Sequence, residues 1–71
     1  MMKYAVVIEK GEGNFSAYVP DLPGCVAAAD TIHETEQLIR KAIEIHIRGM
    51  REDGQEVPHP TSLAREIEVV A

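Results

Sequence analysis

Four carboxylates stand where the chain changes direction. Glu9 lies near the end of an alternating run, Asp21 and Asp30 flank a run of small residues, and Glu34 opens a helical one. Metal-dependent nuclease chemistry needs several carboxylates converging on a divalent cation. The alternation does not bring these four to one face, and acidic residues near strand ends are ordinarily solvated. His33, His46 and His59 are the other candidate ligands. Their spacing is not a ligand spacing, and His33 and His46 fall on different arcs of a helix, so His46 reads better as a hydrogen-bonded core or interface histidine. Cys25 has no CxxC partner and no base beside it in sequence, which makes it a small buried hydrophobe. Gly11-x-Gly13 precedes no helix and is turn chemistry, not a phosphate cradle. No catalytic residue, no metal and no cofactor is expected.

The elements that position these residues are organised around Thr31 to Glu52. Thr31 and Glu34 form a Thr-x-x-Glu capping box, and Asp30 and Glu34 put negative charge at the positive end of the helix dipole. Arg48 and Arg51 suit the opposite pole. Gly54 supplies the left-handed position that stops the helix, and Pro58 follows it. Ile32, Leu38, Ile39, Ala42, Ile43, Ile45, His46, Gly49 and Met50 share a broad apolar arc, with Ile47 at its boundary. About 21 residues at 1.5 Å each give a helix of roughly 30 Å. Strands of six or seven residues reach only about 20 to 23 Å. The overhang around Ile47 to Met50, together with His46, is therefore the expected oligomer contact.

Lys3 to Lys10 reads as a strand with Tyr4, Val6 and Ile8 on one face. Gly11 to Asn14 turns the chain into Phe15 to Val19, giving a hairpin. Pro20 ends that strand, and Asp21-Leu22-Pro23-Gly24 is a tight connection to a third strand, Cys25 to Ala29. Asp53 to Ser62 is a loop carrying Pro58 and Pro60. Arg65 to Ala71 reads as a fourth strand with Ile67, Val69 and Ala71 on its inner face. A right-handed crossover would set it parallel beside the first, so the expected architecture is α+β, β-β-β-α-β, with sheet order 3-2-1-4 and the helix on one face.

Seventy-one residues make one domain over residues 1–71, near the lower limit for a self-sufficient core, and such domains often gain stability by oligomerising. A net charge of −5 argues against direct nucleic-acid binding and suits a basic protein partner. One cysteine permits no internal disulfide. Met1-Met2-Lys3 followed at once by charged alternation argues against a signal peptide, and no apolar run approaches membrane-spanning length, so a cytoplasmic protein is expected. The sheet face away from the helix would carry Ala5, Val7, Tyr18 and Val70 among Lys3, Glu9, Glu66 and Glu68, a mixed surface with an apolar centre.

The order of these elements, the Val-Pro-Asp-Leu-Pro-Gly-Cys segment at Val19 to Cys25, Ala-Asp-Thr at Ala29 to Thr31, and Glu-Asp-Gly-Gln-Glu-Val-Pro-His-Pro at Glu52 to Pro60 together resemble the HicB-type antitoxin family. The opening Met2 to Glu9 is similar to that family's first strand. The resemblance implies a partial ribonuclease-H-like fold and a partner of HicA type, a small toxin that cleaves mRNA. It implies a protein that masks the toxin's RNA-facing surface and is not itself an enzyme. The acidic balance fits, since carboxylates compete for a surface built to attract phosphates. The chain looks like a short form without the DNA-binding domain that many relatives carry. Partner contacts are expected through Tyr18, Asp21, Glu66 and Glu68, and self-association through His46, Ile47 and Met50.

Overall fold

The computed structural model describes residues 1–71, in which three strands and one helix make an α+β unit. The strands are β1 (Val7–Lys10), β2 (Phe15–Tyr18) and β3 (Val26–Ala29), and the helix is α1 (Ile32–Glu52). The sheet is antiparallel in the order β1-β2-β3, with Ile8 opposite Ala17 and Ala17 opposite Ala27. Those three residues share the face under the helix. The other face carries the row Val7, Tyr18 and Val26.

Turn chemistry sets this register. Gly13 takes a φ of 75°, and the Gly11 amide donates to the Asn14 carbonyl at 2.9 Å, closing the hairpin. The β2–β3 connection is a pair of consecutive turns: the Leu22 amide donates to Val19 and the Cys25 amide to Leu22, both at 3.1 Å. Pro23 followed by Gly24 at φ 84° is the type II pattern, whose third position calls for a residue without a Cβ. The two turns drive Leu22 inward until it is 1% exposed. It joins Ala17, Val19, Cys25 and Ile39 in the core, with Tyr4, Val6, Ile8, Ala27, Ala42 and Ile43 packed around them. The alanines of β3 let α1 sit close to the sheet there.

At the start of α1 the Thr31 hydroxyl oxygen accepts from the Glu34 amide at 3.1 Å, as the capping box requires. The Glu34 carboxylate does not reach back to the cap amide; it accepts from the Thr31 hydroxyl at 2.9 Å. At the other end the Gln55 amide donates to Met50 and the Gly54 amide to Arg51, with Gly54 at φ 71°. That is a Schellman stop.

Two expectations fail. Residues 65–71 form no strand in this sheet, so the order 3-2-1-4 is not built and the observed sheet has three strands. Ile67 and Val69 are 77% and 73% exposed. The helix also sits differently on the sheet. Its buried line runs through Thr35, Ile39, Ala42 and Ile43, at one edge of the expected arc, while Ile32, Leu38 and Ile45 are exposed. The two departures have one cause. Three strands at about 4.8 Å spacing cover only about 10 Å. A helix is itself roughly 10–12 Å across, so so narrow a sheet cannot cover a wide arc. Thr35, absent from the expected arc, is fully buried because its hydroxyl donates to the Thr31 carbonyl at 2.7 Å and leaves no polar group unpaired.

Candidate interaction surface

The residues after the helix form a strap. The Tyr4 hydroxyl, half-buried beside the core, donates to the Pro58 carbonyl and draws the chain back along the N-terminal segment. Asp21 then holds the next turn of chain through both carboxylate oxygens. One oxygen accepts from the Thr61 amide at 2.9 Å and the Ser62 amide at 3.0 Å, the other from the Thr61 hydroxyl at 3.0 Å and the Ser62 hydroxyl at 2.9 Å. The Ser62 amide, then the Thr61 amide, then the Ser62 hydroxyl favour the ionised form and bring the Asp21 pKa down to about 2, with burial opposing and the Thr61 hydroxyl adding least. Beyond the clamp, residues 63–71 extend from the domain as an arm whose backbone makes no hydrogen bond. The radius of gyration, 13.6 Å, exceeds the roughly 11 Å of a compact chain of this length.

The anticipated contact residues fall in separate places. Tyr18 is exposed at the centre of the open sheet face, between Val7 and Val26. Asp21 is engaged with the strap. Glu66 and Glu68 are exposed on the arm. His46, Ile47 and Met50 are half-buried on α1. Ile47 lines an open groove of about 1180 Å³ between the helix and the N-terminal segment, together with Met1, Met2, Tyr4, Val6 and Ile43. That volume is above the range of about 300 to 1,000 Å³ usual for small-molecule sites. Leu38 and Ile45 are exposed on the opposite flank of α1.

The chemistry-bearing residues do not assemble. No three His, Cys, Asp or Glu side chains are arranged to hold a metal ion. Cys25 is buried and its thiol pKa is raised by that burial. No helix is long and apolar enough to cross a membrane. What the geometry offers is surface: an open apolar row on the sheet, a groove beside β1, and a free arm with alternating apolar and acidic side chains.

Residues 4–70 match the family model described as the HicB_like antitoxin of bacterial toxin-antitoxin systems. The chain belongs to the HicB-like antitoxin family. A protein of the rep-hol intergenic region of Haemophilus phage HP1 is 44% identical over 57 residues, which are 80% of this chain and 43% of the phage protein. A UPF0150 protein of Archaeoglobus fulgidus is 40% identical over 57 residues, covering 76% of this chain and 83% of its own length. A third relative, UPF0150 protein Ta0767 of Thermoplasma acidophilum, is 37% identical over 71 residues, 99% of this chain and all of its own. This HicB-like chain thus spans less than half of the phage relative and nearly all of the archaeal ones. The family match runs through the arm to residue 70, so strap and arm belong to the family's own pattern.

Sequence reasoning missed the Asp21 clamp. Its signal was present in the Thr61-Ser62 pair, two hydroxyls on successive residues after a proline, but nothing in the spacing of 40 residues links that pair to Asp21.

Proposed function

We propose that residues 1–71 act as one HicB-like unit, on a partial ribonuclease-H-like frame, that neutralises a HicA-type mRNA-cleaving toxin by covering its RNA-binding surface. Action is stoichiometric, in the cytoplasm, without catalysis or cofactor, and the unit works as a homo-oligomer. The observation that carries this reading is family membership in a chain of net charge −5 whose carboxylates are not gathered into a metal site. A surface shaped to attract phosphates is itself attracted to dispersed carboxylates, and such complementarity speeds encounter and sets specificity. Tyr18 on the open sheet face and Glu66 and Glu68 on the arm are the contacts we assign to the toxin. Asp21 serves them indirectly by fixing where the arm leaves the domain.

The test is titration of the purified chain into an RNA-cleavage assay of a purified HicA-type toxin. Loss of cleavage at one chain per toxin is expected, weakening as salt rises. Undiminished cleavage at excess, with no complex in calorimetry, would overturn the proposal and leave an interaction module with another partner.

A further inference from the structure

We infer that the arm, residues 63–71, adds as a strand to the free edge of β1 in a second copy of this chain, and that the two copies exchange arms reciprocally. This inference gives geometry to the homo-oligomer and rests on that part of the proposed function alone, not on the toxin. Three features of the chain meet in it. The arm has partial strand alternation, with Leu63, Arg65, Ile67 and Val69 on one side and Glu66, Glu68 and Val70 on the other, yet its backbone is unpaired and its apolar side chains are exposed. Strand β1 is the mirror of this: it pairs with β2 on one side, and its other edge is open. Beside that edge lies the groove, where Tyr4, Val6, Ile43 and Ile47 offer apolar side chains that a fourth strand would cover, next to charged ones such as Arg48 and Arg51. An unpaired edge beside an apolar trough is a template for another strand.

The clamp decides whose strand it is. Asp21 lies in the β2–β3 connection, where it holds Thr61 and Ser62, and Tyr4 holds Pro58 shortly before them. Past that tie residues 63–71 make no backbone hydrogen bond with their own domain and are exposed throughout. Nine residues extended at about 3.3 Å each reach roughly 30 Å, enough to lie along β1 and its N-terminal extension in a neighbour. Reciprocal exchange engages the nine arm residues and the 14 that line the groove in each copy, within the roughly 20–30 residues per side of a stable interface. Each sheet then has four strands, the fourth supplied in trans.

The experiment uses the whole chain. Sedimentation equilibrium over a range of concentrations is compared with that of Ile67→Glu/Val69→Glu, and mixed samples of labelled and unlabelled chain are examined for intermolecular nuclear Overhauser contacts from the Ile67 and Val69 methyls to Val6 and Ile47. A dimer is expected, with the contacts intermolecular. The double variant should weaken self-association by at least about a hundredfold, since each lost burial is worth about one to two powers of ten. Its helical circular dichroism should not change, because neither residue packs on the core. A monomer at every concentration, a dimer indifferent to the double variant, or contacts within one chain would each overturn the inference. Toxin binding that survives in a monomer would sink it and keep the antitoxin reading. A dimer that never meets a toxin would do the reverse.

Discussion

Lys3 to Lys10 and Arg65 to Ala71 both read as strands from the facing of their alternate residues, Tyr4, Val6 and Ile8 in one and Ile67, Val69 and Ala71 in the other, and they meet opposite fates. The first is held in β1 by Phe15 to Tyr18, four turn residues away. The second is held by nothing beyond Ser62. Period-two alternation specifies that a segment has a face to cover; it does not specify what covers it. For β1 the cover is local, and closing a four-residue loop costs little. The arm follows a strap tied at Pro58 and at Thr61-Ser62, and beyond that tie it pairs with neither open edge of its own sheet, β1 or β3. The contrast separates a core that stands alone from an arm that waits for company.

The sharpest test of that division is a pair of truncations measured where the chain is monomeric. Leu22→Ala removes a side chain fixed between two turns and is expected to cost about 2–5 kcal/mol in urea unfolding. Ile67→Ala under the same conditions should change stability by less than about 0.5 kcal/mol, as exposed substitutions do. Similar losses from the two would show that the arm packs on its own domain after all. Gly54→Ala probes the junction. A φ of 71° forces a Cβ into the left-handed region, at an expected cost of about 1–2 kcal/mol, seen as faster hydrogen exchange at Gln55, whose amide caps Met50. Thr31→Ala removes one oxygen that both accepts from the Glu34 amide and donates to its carboxylate, and should lower stability by about 1 kcal/mol. An effect larger than Leu22→Ala from either end of the helix would shift the weight of the fold from packing to capping.

How far the sequence speaks depends on range. The helix from Ile32 to Glu52, its Thr31 cap and its Gly54 stop were legible because each signal lies within a few residues of its partner. The hairpin and the Pro23-Gly24 turn were legible for the same reason. Cys25 as a buried hydrophobe followed from its having no chemical partner beside it in sequence, and the inner face of Tyr4, Val6 and Ile8 from alternation. What was not legible is relational. Leu38 and Ile45 belong to the apolar arc by periodicity, and only the width of the sheet leaves them exposed. Thr35 looked polar, and only its bond to the Thr31 carbonyl lets it be buried. The fourth strand was read correctly as an alternating segment and wrongly as a member of this sheet. Its placement turns on Asp21, a residue 40 positions away from Thr61 that read first as a turn and second as a partner contact.

Asp21 yields the finest of these tests, because its effect falls almost wholly on the arm. Its carboxyl is held at a pKa of about 2, against an ordinary value of 3.8, chiefly by the Ser62 and Thr61 amides. A folded-state pKa below the unfolded one contributes stability that is complete above the unfolded value and is lost as pH falls through the folded one. The clamp is therefore expected to stay closed at neutral pH and to open as the pH drops from 3.8 toward about 2. Hydrogen exchange at the Thr61 and Ser62 amides should accelerate over that window while exchange at Ile39, in the core, keeps its protection. Asp21→Ala removes both acceptor oxygens, so those two amides should exchange quickly at neutral pH and lose their acid dependence. The global unfolding midpoint should move less than in Leu22→Ala. If it falls as far as in Leu22→Ala, the strap is part of the core, and an arm free to join another chain has no basis in the monomer.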